Sequence, residues 1–196
     1  MNEHPLYFSD DDTLRPDPTL ETARALLESY LPRDEHQARF RREILAFLFD
    51  HPDDAHLRTC IPGHLTASAL LVDSTRERAL LTHHRKLNRW LQLGGHCDGD
   101  SNLPAVALRE AREESGIADL TIDPRLVDLD IHQIPARAGE PLHLHLDARF
   151  VVFAPPRARE TASDESHRLA WFASGELPSL DVDDSVRRLF RLAFVG

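Results

Sequence analysis

The pattern of apolar and polar positions changes along the chain, from a helical period before residue 61 to a strand-like pattern after it. Residues 20–30 and 35–49 repeat apolar side chains every three or four positions, as amphipathic helices do. Pro32 and Pro52 end the two runs. These runs predict a helical hairpin, which we expect to cap a sheet or to form a dimer contact.

Short runs of aliphatic, β-branched and aromatic residues, separated by turns, follow from residue 65 onwards. They predict strands at 65–73, 79–84, 126–135, 141–154 and 168–173. Helical spacing returns at residues 102–115 and 184–194. We therefore predict a main domain at residues 61–196. The N-terminal part, residues 1–60, is predicted to hold a mobile or loosely docked arm and the helical hairpin.

Composition and charge narrow the classes of function. Of the 196 residues, 41% are hydrophobic, and no apolar run approaches the ~20 residues of a membrane span. The N-terminus lacks the basic start and apolar middle of a secretory signal, so we expect a cytoplasmic protein. The formal net charge of −10 disfavours a nucleic-acid binder, because binding to phosphate backbones relies on clustered lysines and arginines. A small anionic substrate is compatible with this charge if metal ions offset it.

Three glutamates near the end of the helix predicted at residues 102–115 are the main candidates for chemistry. Glu110, Glu113 and Glu114 lie at positions i, i+3 and i+4, which places their carboxylates on one arc of a helix. Three like charges side by side are costly unless a cation lies between them. Because a glycine-rich loop precedes this helix, the pattern predicts a divalent metal site that acts on phosphates.

Residues 95–117 resemble the Nudix box, G-x5-E-x7-R-E-U-x-E-E-x-G-U, in which U is an aliphatic residue. The matching positions are Gly95, Arg109, Glu110, Ala111, Glu113, Glu114, Gly116 and Ile117. Ser101 stands where the motif has its first glutamate, and Asp98 and Asp100 are the acids nearest to it. In the family that glutamate mainly supports the loop and the metal shell. The departure at Ser101 therefore bears on the number of metal ions more than on membership of the family.

The resemblance implies a fold and an activity. The implied fold is of the α/β class, a Nudix-type α/β/α sandwich around a mixed β-sheet, here with an N-terminal helical extension. The implied enzyme is a pyrophosphohydrolase that cleaves a diphosphate linkage in a nucleoside diphosphate derivative. Nucleotide sugars, ADP-ribose and nucleoside triphosphates are the substrate types that it suggests.

The resemblance also assigns roles to the residues of the box. Mg²⁺, with Mn²⁺ as a substitute, is expected to bind Glu110 and Glu114, with assistance from Glu113 and the Gly95 carbonyl. Arg109 lies one helical turn before Glu113 and is expected to orient its carboxylate.

The catalytic base is expected outside the box. In many Nudix enzymes a glutamate from a distant loop acts as the base or as an extra metal ligand. Glu165, just before a predicted strand, is the candidate for this role, and Asp164 is the alternative.

Residues for substrate binding are less clearly marked. Arg85, Lys86 and Arg89 lie between a strand and the box, where they can meet phosphates. His143 alternates with His145 and Asp147 in a predicted strand, so that the three share one face. That face is expected to line the substrate cleft or to contact the helices, and a second metal site is the alternative.

Two other functions fit a Nudix-like sequence. The first is a module that senses a nucleotide without cleaving it. Ser101 leaves this alternative open, whereas the complete set of three glutamates argues against it. The second is an enzyme similar to isopentenyl diphosphate isomerase, which is disfavoured because Cys60 lacks the motif expected around it. A homodimer through the helical hairpin is left open.

Overall fold

The computed structural model describes residues 5–85, 87–137, 139–161 and 166–194. In this part of the chain the helices are α1 (Glu21–Ser29), α2 (Glu35–Asp50), α3 (Leu103–Ser115) and α4 (Asp184–Phe194). The strands are β1 (Gly63–Val72), β2 (Arg78–His84), β3 (Arg89–Leu91), β4 (Leu93–His96), β5 (Thr121–Ile134), β6 (His143–Phe153) and β7 (Ser166–Ala173). Short 3-10 helices occupy Asp12–Leu14 and Ser174–Ser179.

The strands form one mixed sheet. β1 and β6 are parallel, whereas β5 pairs with β6, and β7 with β2, in the antiparallel sense. β1 and β2 pair directly only at Leu71↔Leu80 and Val72↔Ala79, and then diverge. The consecutive strands β3 and β4 lie between them, with β3 paired to β2 and β4 paired to β1. Gly94 is required in β4, because a Cβ atom there would lie 2.6 Å from Ser68 Cα.

Helices cover both faces of the sheet. Leu65, Ala67 and Leu71 of β1 belong to the hydrophobic cluster that contains α1, α2 and α3. Leu70 and Val72 point to the other face and belong to the cluster that contains α4. The predicted α/β/α sandwich around a mixed sheet is therefore confirmed. None of the helices in the described ranges has the length and apolar character needed to cross a bilayer.

The N-terminal hairpin shares the core of the main domain. Leu27 of α1 and Leu48 of α2 are completely buried in the same cluster as α3. Gln37 of α2 bonds to the backbone of Leu129 in both directions, donating from Nε2 at 2.9 Å and accepting at Oε1 at 2.8 Å. The hairpin thus caps the sheet, one of the two roles expected from the sequence. The boundary at residue 60 stays a prediction.

The described part of the N-terminal arm docks more tightly than the sequence predicted. Tyr7 exchanges two backbone hydrogen bonds of 3.0 Å with Ile122. The Asp17 carbonyl accepts from the Ser101 amide at 2.8 Å, and the Asp17 amide donates to the Asp100 carboxylate at 3.0 Å. These contacts fasten the arm to β5 and to the loop that precedes α3.

Replacement of Asp17 by asparagine is expected to destabilise this arm in a pH-dependent way. Hydrogen bonds from Thr22 and Thr19 lower the pKa of the Asp17 carboxyl. A lowered pKa stabilises the fold above the unfolded pKa of 3.8, and the gain is lost as the pH falls through the folded pKa. At pH 7 we expect Asp17→Asn to unfold roughly 2–4 °C below the parent, and the gap to narrow below about pH 4.

Thermal unfolding followed by circular dichroism from pH 3 to 8 measures this effect. Asp10→Asn, at an exposed position of the same arm, is the matched control. A gap for Asp17→Asn that is the same at every pH would contradict the role given to its ionised carboxylate.

Candidate active site

Helix α3 carries the glutamates and is fixed by packing on one side. Ala107 and Ala111 are completely buried and Leu108 nearly so, which directs the opposite side of the helix away from the sheet. Gly116 ends the helix in the left-handed conformation with φ of 68°, which glycine adopts without strain. The helix is therefore held at a fixed rotation, as its sequence pattern predicted.

Two carboxylates of α3 converge on the glycine pair of β4. The Gly94 amide lies 3.4 Å from Glu114 Oε1, close enough for a long hydrogen bond. A Cβ atom at Gly95 would collide with the Glu110 carboxylate. The absence of a side chain at Gly95 thus leaves the space that the Glu110 carboxylate occupies.

Burial makes the ionised form of Glu110 costly. Its side chain is 15% exposed, and this desolvation raises the pKa of its carboxyl. Arg109 acts against this shift, whereas the negative charge of Glu113 adds to it. A desolvated carboxylate beside further carboxylates is a site where a bound cation lowers the energy.

Arg109 positions Glu110, not Glu113 as the sequence predicted. Its Nη2 atom donates to Glu110 Oε1 at 2.9 Å and to the His96 carbonyl at 2.8 Å. Glu113 is exposed. The i+4 spacing brought Arg109 and Glu113 to neighbouring positions on the helix, but the tertiary contact with β4 turned the guanidinium towards Glu110.

The donors in this region fit a hard divalent cation. Carboxylate oxygens from Glu110 and Glu114, with a backbone carbonyl of the adjacent glycine pair in β4, are the ligand types that Mg²⁺ and Mn²⁺ prefer. The half-buried Glu110 carboxylate and the glycine cradle around it support the same assignment.

Ser101 stands where the motif has its first glutamate, and the nearby acids make other contacts. Ser101 is completely buried, and its hydroxyl has no hydrogen-bond partner among the described residues. Asp100 instead accepts from the amides of Asp17 and Asn102, at 3.0 and 2.9 Å. Asp98 forms a two-bond ion pair with Arg58, at 2.5 and 2.8 Å. Both acids therefore hold the loop in place.

The structure describes only some of the residues that were predicted to contact the substrate. Arg85 is exposed after β2, and Arg89 pairs with Asp181 at 3.6 Å. Trp90 is 5% exposed and packs edge-on against Phe172, with ring centroids 4.8 Å apart. Three predicted residues, Lys86, Asp164 and Glu165, lie outside the described residues.

The fold brings additional histidines to the predicted strand face. His143 is buried, its Nδ1 lies 2.8 Å from the Pro141 carbonyl, and its ring stacks on His64 at 5.0 Å. His145 is adjacent to both His64 and His96. Burial, and then neighbouring histidines, lower the pKa of His145 to about 2, so that its ring is neutral at pH 7.

Sequence reasoning missed His64 and His96 as members of this group. The parallel register of β1 and β6 places His64 opposite His145. The sequence alone does not show which strands pair, so this group was not predicted. Asp147, expected to join these histidines, is 1% exposed and accepts from Ser68 at 2.8 Å.

The two cysteines are not set up as nucleophiles. Cys60 and Cys97 are both buried with free thiols. Burial raises the pKa of the Cys60 thiol to about 11 and that of Cys97 further still. The reactive thiolate form is therefore disfavoured at both positions.

Comparisons with known proteins agree with this geometry. A family model described as a NUDIX domain matches residues 62–193. A NUDIX-family hydrolase from Clostridium perfringens is 23% identical, with 67% of this chain and 96% of that chain covered and a TM-score of 0.51. A C. elegans Ap4A hydrolase is 17% identical, with 65% and 92% covered and a TM-score of 0.53. The chain has no match among curated proteins.

Because the family model covers more than half of the chain, the chain belongs to the NUDIX family. The prediction of a Nudix pyrophosphohydrolase is confirmed at the level of the family. The two solved structures confirm the fold, and the N-terminal hairpin lies before the matched region.

Proposed function

We propose that this protein is a divalent-cation-dependent hydrolase that cleaves a diphosphate linkage in a nucleoside diphosphate derivative. The observation that carries the proposal is the convergence of Glu110 and Glu114 on the Gly94-Gly95 pair of β4. A sensor that only binds a nucleotide has no need to bury a carboxylate beside other acids at an energetic cost.

Each residue of the site has a distinct task in this proposal. Glu110 and Glu114, assisted by Glu113 and the Gly95 carbonyl, hold Mg²⁺ or Mn²⁺. When bound, the cation neutralises charge on the diphosphate and lowers the pKa of water. Arg109 fixes the Glu110 carboxylate and links it to the His96 carbonyl.

The base and the phosphate contacts complete the proposal. Glu165 is proposed to remove a proton from the attacking water, with Asp164 as the alternative. Arg85, Lys86 and Arg89 are proposed to meet the phosphates of the substrate, and His143 to line its cleft.

A panel of nucleoside diphosphate derivatives tests the function. ADP-ribose, nucleotide sugars, dinucleotides and nucleoside triphosphates are incubated with Mg²⁺ or Mn²⁺, and phosphate-containing products are separated and identified. We expect cation-dependent cleavage of at least one compound. If none is cleaved while nucleotides bind, the proposal fails and the sensor function gains support.

Substitution of Gly95 by alanine is expected to damage the site without unfolding the chain. The new methyl group would displace the Glu110 carboxylate. A displacement of about 1 Å can cost on the order of 10²-fold in rate, so we expect kcat/KM to fall by about that factor. Gly175→Ala is the matched control, because the Cβ position there is open. Equal kcat/KM for Gly95→Ala and the parent would contradict the assigned geometry.

The non-catalytic sensor is the second candidate. Ser101 favours it, since a buried serine supplies no carboxylate to the loop. The isomerase-like alternative loses support, because the buried Cys60 has a raised pKa.

Cytoplasmic location and a homodimer are retained as proposals. Leu31 and Phe49 of the hairpin region are 84% and 81% exposed, an observation that favours a contact between two copies.

A further inference from the structure

Three histidines from three different strands meet on one face of the sheet. The histidine trio consists of His64 in β1, His96 in β4 and His145 in β6. One ring nitrogen of each lies within 4.8 Å of the others. The ring centroids are 5.0 Å apart for His64 and His96, and 4.9 Å apart for the other two pairs. No described acidic residue belongs to this group.

The topology of the sheet creates the trio. β1 runs between β4 and β6, with His64 directly opposite His145 and with Thr66 opposite His96. Side chains two residues apart in a strand share a face, so His64 and Thr66 bring both neighbours to the same side. Gly95, directly before His96, belongs to the opposite face, where α3 packs. The trio and the carboxylate site are thus separate donor sets.

Three buried ring nitrogens in the trio, two of His64 and one of His145, lack ordinary hydrogen-bond partners. His64 is 4% exposed, and neither of its ring nitrogens makes a hydrogen bond of normal geometry to a described residue. Burial, and then the neighbouring His143, lower the pKa of His64, and the Cys60 backbone acts against this shift. His145 Nε2 is likewise buried without a hydrogen-bond partner in the described ranges. Leaving buried polar atoms unsatisfied is energetically costly, so a ligand that satisfied them would be favoured.

We propose that the histidine trio binds one divalent transition-metal ion, with Zn²⁺ as the ion that fits best. Three imidazole nitrogens with one open position are a ligand set typical of Zn²⁺. Tetrahedral Zn²⁺ requires ligand nitrogens roughly 3.4 Å apart, so small side-chain rotations from the present spacing suffice. Mg²⁺ prefers oxygen ligands and is excluded from this site by its chemistry.

Neighbouring histidines surround the trio without completing it. His143 stacks on His64 and holds the Pro141 carbonyl through Nδ1, which fixes the orientation of its ring. The ring centroids of His132 and His145 are 5.3 Å apart, but His132 Nδ1 pairs with Asp130 Oδ2 at 3.2 Å. His132 is therefore a near control for the trio, and His36, exposed on α2, is a distant one.

Zinc binding by the metal-free, full-length protein tests the proposal. The protein is titrated with Zn²⁺ in competition with a chromophoric chelator, in the presence of excess Mg²⁺ to occupy the carboxylate site. Co²⁺ is then substituted, and its visible absorption reports the coordination geometry. We expect one equivalent of Zn²⁺ to bind, and Co²⁺ to show the intense bands of a tetrahedral site.

Variants assign the binding to the trio. His64→Ala and His145→Ala are each expected to weaken Zn²⁺ binding by at least about 10²-fold, beyond the effect of losing a partner that only orients a ligand. Glu114→Gln, His132→Gln and His36→Gln are expected to bind Zn²⁺ as the parent does. Circular dichroism verifies that each variant is folded. If an alanine variant does not fold, His96→Gln, at a half-buried position, is measured in its place.

Either of two results would overturn the proposal. The first is Zn²⁺ binding of parental strength in the folded His64, His96 and His145 variants. The second is loss of the Zn²⁺ equivalent in Glu114→Gln or His132→Gln, which would assign the ion to another set of ligands.

Discussion

Replacing Glu114 by glutamine is expected to lower kcat by at least ~10²-fold, the lower range for the loss of one key electrostatic group. Glutamine keeps the size of the side chain and its ability to accept from the Gly94 amide, but it removes the charge that holds the cation. The rate loss should therefore occur in a protein whose unfolding temperature is close to that of the parent. Initial rates at saturating substrate, over a range of Mg²⁺ concentrations, measure the change.

A matched control separates the charge of Glu114 from the general acidity of the protein. Glu43→Gln removes one carboxylate from an exposed position of α2 and is expected to leave kcat unchanged. Unchanged turnover in Glu114→Gln would place the metal site elsewhere in the molecule.

Replacement of Arg149 by methionine is expected to lower the free energy of unfolding by about 3–5 kcal/mol, the cost of breaking a buried ion pair from one side. The Arg149 side chain is 2% exposed and contacts three carboxylates. These belong to Asp147 at 2.8 Å, Asp130 at 3.1 Å and Asp128 at 3.4 Å. Methionine fills a similar volume but removes the only cation that pairs with Asp147 among the described residues, whereas Asp128 and Asp130 keep their ion pairs with Arg188. Urea unfolding at pH 7 measures the loss.

An exposed arginine provides the comparison. The side chain of Arg125 is 58% exposed and pairs with Asp123 on the same strand, so Arg125→Met is expected to change the free energy of unfolding by less than about 1 kcal/mol. If Arg149→Met lost no more than Arg125→Met, the buried network would not contribute to stability as described.

The local features of the site were predictable from the sequence because they depend on neighbouring residues in the chain. The rotation of α3 follows from Ala107, Leu108 and Ala111, and its end follows from Gly116. Helix α4 has the predicted bounds, Asp184–Phe194. Periodicity and capping are local properties, so they can be predicted without any information about tertiary contacts.

Features that depend on strand pairing were not predictable. β5 begins at Thr121, before the predicted start at residue 126, and its pairing with β6 is irregular between Asp123 and Asp128. The histidine trio depends on the register of β1, β4 and β6, three strands that are not consecutive in the chain. The polar N-terminal arm gave no periodic signal, although Leu14 is buried and Asp17 bonds to the loop before α3.

The most direct test of the proposed reaction is the fate of the water oxygen. A compound that the protein cleaves is hydrolysed in ¹⁸O-labelled water by the parent and by Glu114→Gln. The masses of the products are then measured by mass spectrometry. Attack of water on phosphorus predicts one ¹⁸O atom in a single phosphate-containing product, formed only with a divalent cation and at a strongly reduced rate by Glu114→Gln. Products whose phosphate groups contain no ¹⁸O, or equal rates for the two proteins, would contradict the account.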